Sequence, residues 1–233
     1  MSTGRWSDLG ADMVITTGEE SNAPRFRRRT LARGLGWAAP SLLVATAAPA
    51  FAASSECTPL TSSQLPTAAP QFTSAALTGW TSAVTAGGFK SSPVINYRSS
   101  YAPNGSPLAN QAVLEADPSV TAISTATLST APFCLGPGTY TFTYSGRSYG
   151  INARTITLDA AVLSADAPVS TLASAATWTV AGGGSHSVLT RNFTLQLTER
   201  RRVRFRYLWT LPASNSTVGN DIGVQAPSIS RTA

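Results

Sequence analysis

Gly136-Pro137-Gly138-Thr139-Tyr140-Thr141-Phe142-Thr143-Tyr144 decides the fold class. A tight Gly-Pro-Gly turn launches a run in which threonine alternates with a ring, and that period of two belongs to a strand buried on one face. The same rhythm recurs downstream. Val203, Phe205, Tyr207 and Trp209 alternate with Arg202, Arg204 and Arg206, and 188–197 is another long strand-like run. Further β-rich segments are expected at 94–97, 111–115, 120–128, 154–163, 177–180 and 222–229, separated by Gly, Pro, Asn and Asp. Within 154–163 the apolar phase slips before Val162. No window holds a helical period beyond two turns, and there is no internal repeat. Short strands punctuated by turn residues predict an all-β chain, an antiparallel β-sandwich.

Upstream, Arg27-Arg28-Arg29-Thr30-Leu31-Ala32-Arg33 precedes an apolar run over 34–48 and then Ala48-Pro49-Ala50-Phe51-Ala52. A basic region, a short apolar run and an A-x-A site (Ala50, Ala52), in that order, read as an export signal cut after Ala52. Arg28 and Arg29, followed by Thr30, Leu31 and Ala32, fit the twin-arginine pattern. A membrane anchor needs about 20 apolar residues, and this run is shorter and interrupted by Pro40. The expected organisation is a signal peptide over 1–52, a Ser/Thr/Pro-rich lead-in over 53–78 and a sandwich domain over 79–233. The expected location is secreted or associated with the cell envelope, with the export machinery as a partner and no membrane span after cleavage. The ending Ile229-Ser230-Arg231-Thr232-Ala233 has no apolar sorting tail, which reads as release.

Charged residues are 12% of the chain, against about 25% in an average soluble protein. Downstream of Ala52 there are 11 basic and 7 acidic residues, a net of +4. That mild balance, in an exported protein, does not fit a nucleic-acid partner. Only Cys57 and Cys134 are available to pair, and in an oxidising compartment they are expected to form one disulfide. A metal site would need more ligands than two cysteines and the distant His186 provide, and no cofactor is expected.

Gly79-Trp80, then Leu135 to Phe142, then Val203-Arg204-Phe205-Arg206-Tyr207, and finally Asn220-Asp221-Ile222-Gly223-Val224 follow in a familiar order. This order resembles galactose-binding-like jelly rolls, including many bacterial carbohydrate-binding modules. The signal is similar to those of small exported actinobacterial proteins. The resemblance covers most of 79–230 and implies a jelly-roll sandwich and a carbohydrate-binding role. It departs from the family at Asn220, where an acid is usual, and it transfers no ligand-binding motif. Some jelly rolls hold structural calcium near the position of Asp221, but seven acids downstream of the signal are a thin supply of oxygen ligands.

Three sets of residues could carry chemistry. Gly146-Arg147-Ser148-Tyr149-Gly150 matches a nucleophile elbow, with Asp159 or Asp166 and then His186 in hydrolase order. An elbow needs a strand-to-helix turn, whereas 151–163 reads as another strand, so the glycines are expected to form a hairpin turn and no catalytic residue is assigned. Arg202, Arg204 and Arg206 face one side of their strand and could hold the phosphates or carboxylates of an anionic wall polymer or acidic glycan. The competing role for them is a solvated outer face that discourages edge pairing. Trp80, Tyr101 and Tyr149 are the rings placed to stack on sugar, while Trp178 and Trp209 are expected in the core. The function expected is a secreted, non-catalytic binding module for carbohydrate or cell-envelope polymer. A structural or adhesive surface protein is the alternative, and a small serine hydrolase using Ser148 is third.

Overall fold

The alternating run at Thr139 forms the spine of one of two sheets. The computed structural model describes residues 57–74, 76–85, 94–101, 108–115, 122–149, 155–180, 188–213 and 221–232. The signal residues Arg28, Arg29, Ala50 and Ala52, and also Gly150 and His186, lie outside them. A single 3-10 turn, Leu65–Thr67, precedes β1 (Trp80–Thr85), β2 (Ile95–Tyr101), β3 (Leu108–Leu114), β4 (Ser124–Thr130), β5 (Phe133–Leu135) and β6 (Gly138–Ser148). There follow β7 (Ile156–Ser164), β8 (Thr171–Ser174), β9 (Trp178–Val180), β10 (Val188–Leu197), β11 (Arg201–Leu211), β12 (Ile222–Val224) and β13 (Ser228–Thr232). The described residues contain no α-helix, and no helix among them is long and apolar enough to cross a membrane.

Two antiparallel sheets make a sandwich. The first, sheet A, runs β1-β4-β11-β7-β8, with β5 also on β11 and β9 also on β7. The second, sheet B, runs β10-β6-β12-β3-β2, with β13 also on β6. The chain passes back and forth between them, as in a jelly roll: β1 in A, β2 and β3 in B, β4 and β5 in A, β6 in B, and so on to the end.

Three strand pairs are single strands broken in the middle. β4 and β5 lie end to end along β11, parted by Ala131-Pro132, since proline cannot donate to a ladder. Thr130 closes that gap, its Oγ1 accepting from the Phe205 N–H at 3.0 Å. β12 and β13 lie end to end along β6, parted by Gln225-Ala226-Pro227, and the Gln225 N–H still reaches the Ser145 carbonyl at 2.9 Å. β8 and β9 share β7 in the same way. The continuous run expected at 222–229 is therefore two strands, divided where Pro227 removes a donor.

The core lies between β11 and β6. Val203, Phe205, Tyr207, Trp209 and Leu211 point inward from sheet A, and Tyr140, Phe142 and Tyr144 from sheet B. Phe205 and Tyr207 meet edge to face at 4.8 Å, and Phe142 stacks on Phe193 at 5.4 Å. Tyr144 and Tyr207 span the sheets at 5.5 Å. Burial pushes the Tyr144 phenol up to about 12, with Arg191 opposing and Asp159 adding to the shift, and burial pushes Tyr207 well above its usual range. The phase slip expected in β7 is absent, because Ala160 carries the inward row from Leu158 to Val162.

The segment read as an extended lead-in belongs to this core. Leu65 and Phe72 are 2% and 1% exposed, and Phe72 packs on Trp80 at 5.0 Å. A disulfide joins Cys57 to Cys134 with the Cα atoms 5.8 Å apart, so the segment is fixed at both ends, as the cysteine count led one to expect. Isolated apolar residues in a Ser/Thr/Pro-rich stretch carry no period, and that concealed their burial.

Candidate functional site

Two of the rings proposed for sugar stacking are built into the protein. Trp80 is 9% exposed, stacks on Tyr207 at 6.2 Å and donates from Nε1 to the Pro70 carbonyl at 2.7 Å. Its ring faces are occupied by protein. Tyr149 is 4% exposed and lies over Gly223, its hydroxyl donating to Gln111 Oε1 at 2.9 Å while Gln111 Nε2 donates back at 2.7 Å. Both expectations are corrected by burial: each ring fills a space that the other sheet or strand leaves open. Tyr101 ends β2 opposite Leu108, and its side chain lies outside the described residues. Trp178 and Trp209 are in the core, where the sequence placed them.

The elbow match dissolves into a strand. Gly146, Arg147 and Ser148 all belong to β6, paired with Val224, Gly223 and Ile222. Ser148 is 0% exposed and lies in the same row as Ile222 and Leu114. The hairpin turn expected at Gly146 is absent for a packing reason: a Cβ there would lie 2.9 Å from the Trp178 ring, so the glycine makes room for an indole. Asp159 is on β7 and accepts from Thr177 Oγ1, and His186 lies outside the described residues.

What remains open is the outer face of sheet A. Arg202, Arg204 and Arg206 alternate with buried Val203, Phe205 and Tyr207 and line the central strand of this sheet. Arg201, of the opposite phase, is held by Glu199 at 2.7 Å. Among the described residues no ion pair or hydrogen bond engages the guanidinium groups of the outward three, and Nε of Arg204 and of Arg206 is buried without a partner. Directly opposite them in the ladder stand Leu163 and Ala161, both buried although they face outward. Cross-strand neighbours of this kind lie within about 4.5–5.5 Å, so the methylene stems run beside an apolar strip while the charged ends stay accessible.

Beyond the arginines the same face turns to hydroxyls. Thr85, Thr125, Thr210, Thr157 and Thr179 follow one another across five strands in one continuous register row. A parallel row holds Thr81, Ser129, Arg206, Ala161 and Ser174. Hydroxyls both donate and accept, and guanidinium donates in a planar fork, so the face offers a dense donor set with few fixed acceptors. The sequence revealed the arginines through their phase. It concealed the threonine row, which exists only once the register between distant strands is known. Among the described residues no cluster of three or more His, Cys, Asp or Glu could hold a metal ion.

No protein-family profile and no characterised protein matches the chain in sequence. In structure it is similar to TmCBM61 in complex with β-1,4-galactotriose, at 12% identity and a TM-score of 0.40 over 66% of this chain and 90% of that one. The N-terminal cellulose-binding domain of Cellulomonas fimi β-1,4-glucanase C aligns at 16% identity and a TM-score of 0.33, over 66% of this chain and 90% of that domain. An arabinose-bound α-L-arabinofuranosidase aligns at 15% identity and 0.39, over 69% of this chain but 24% of that longer one. The similar structures include carbohydrate-binding modules of β-sandwich fold.

Proposed function

We propose that the chain is an exported, non-catalytic module that binds carbohydrate or cell-envelope polymer through the outer face of sheet A. The observation that carries this is the face itself, in which rows of Thr and Ser hydroxyls run across five strands and meet an arginine row that, among the described residues, makes no ion pair with a carboxylate. A polymer rich in hydroxyl or oxyanion groups offers acceptors to the guanidinium groups and partners of either kind to the hydroxyl rows. Export by the twin-arginine signal over 1–52, with cleavage after Ala52, would deliver the module to such polymers. Non-catalytic action is supported by the burial of Ser148 inside β6.

The test is a binding screen of the purified chain, oxidised, against a glycan array and isolated bacterial cell walls. Saturable binding that is lost on substituting Thr125, Thr157 or Thr210 in the hydroxyl row is the expected result. Absence of binding to every polymer would refute the proposal and favour a structural surface role. Mass measurement of the secreted form tests the cleavage site, and an N-terminus other than Ala53 would refute it.

A further inference from the structure

Resting on that envelope-binding role, we infer that the ligand is a polyanion lying lengthwise along β11, its oxyanions held by Arg202, Arg204 and Arg206. Residues two apart on a strand sit about 7 Å from one another on one face. The three guanidinium groups therefore form a linear series of cations along one strand. The flanking strands add none at this level: Ser129 and Ala161 stand beside Arg206, and Leu163 and then Thr171 beside Arg204. A ligand lying across the strands would meet one cation; a ligand lying along β11 meets all three.

Among the described residues, Glu199 pairs with Arg201, and Asp159, which accepts from Thr177, makes no ion pair with the row. Nε of Arg204 and of Arg206 is already desolvated and has no acceptor. The two terminal nitrogens of each guanidinium are not buried, and an oxyanion can bridge them in two parallel charge-assisted bonds. A neutral sugar hydroxyl places one lone pair at a time and leaves the charge unpaired. The chemistry is therefore that of a phosphodiester-linked polyol or a polyuronate, whose charges recur along the chain, with Ser129 directly beside Arg206.

The experiment uses the purified full chain and measures binding to poly(glycerol phosphate), polygalacturonate, single-stranded DNA, dextran and xylan at rising NaCl. The expected result is binding to poly(glycerol phosphate) or polygalacturonate that weakens steadily with salt. The stronger of these two arms identifies phosphate or carboxylate as the group recognised. Arg204→Gln and Arg206→Gln should each weaken binding at least about tenfold. Arg231→Gln, on β13 of the other sheet, should leave it unchanged, and all three variants should still unfold cooperatively. Salt-indifferent binding to dextran or xylan that survives Arg204→Gln and Arg206→Gln would overturn this inference and leave the envelope-binding role standing. DNA binding tighter than that of both envelope-type polyanions would overturn the assignment to an envelope polymer. Binding to none of these polymers would overturn the inference, and the role beneath it falls only if the glycan array and isolated cell walls are not bound either.

Discussion

Replacing Gly223 by alanine should destabilise the protein through one side chain across the strand pair. Gly223 lies in β12, and a Cβ at this position would overlap Gln111 Oε1, approach Gln111 Cδ to 2.9 Å and lie 3.2 Å from the Tyr149 ring. Gly223 does not occupy the left-handed region, so the obstacle is space and not backbone conformation. An unobstructed Gly→Ala change would gain about 0.4–1 kcal/mol from the unfolded chain. Overpacking costs about 1–3 kcal/mol. If Gln111 is pushed aside, its bonds to the Leu108 carbonyl and the Tyr149 hydroxyl are lost, at about 1–3 kcal/mol for stranding a buried group. The net is a loss of about 2–5 kcal/mol, and the repulsive terms outweigh the entropic gain. Urea denaturation would show it as a midpoint lower by roughly 1–2 M. The decisive form is a cycle with Gln111→Ala, which opens the space but gives up the same bonds. Gly223→Ala made in that background should cost little or nothing further. A neutral single variant, or two effects that simply add, would refute the steric account.

Three further outcomes are expected. Cys134→Ser, or Cys57→Ser, frees a loop spanning 77 residues and should lower stability by about 4–5 kcal/mol on the chain-entropy estimate, read as a lower midpoint that reductant does not move further. Thr130→Val keeps the shape but strands the Phe205 N–H at the β4–β5 break, and calorimetry should register about 1–3 kcal/mol less stability. Alkali should also destabilise the fold. Tyr144 holds its proton to about 12 when folded against 10 when unfolded, so the unfolded chain deprotonates first. Stability from this group is full below pH 10 and lost as pH climbs through 12, and Tyr144→Phe should flatten that part of the unfolding-against-pH curve.

The elements legible in the sequence are those with strong contrast between alternate positions. Thr139 to Tyr144, Val188 to Leu197 and Val203 to Trp209 announced β6, β10 and β11, with the correct inward face read for β11. β1 and β8 went unread because Thr81-Ser82-Ala83 and Thr171-Leu172-Ala173-Ser174 offer little hydropathy contrast, and their pairing comes from the neighbour each lies against. β5 is three residues after a proline. For the candidate site, phase alone put the three arginines outward. Ring exposure was misjudged at Trp80 and Tyr149 because local turn chemistry says nothing of what another sheet will lay over a ring. The threonine row was invisible for a related reason, as its five members come from strands far apart in the chain.

β12 has an effect on timing. Within sheet B, the hairpin of β2 and β3 reaches β6 only through Ile222, Gly223 and Val224, which pair with Leu114, Val113 and Ala112 on one side and with Ser148, Arg147 and Gly146 on the other. A hairpin of β2 and β3 stays unattached within its sheet until β12, far downstream in the chain, latches it in place. Sheet B therefore closes through distant pairings, which form slowly. The order in which these strands are made is not the order in which the sheet can close.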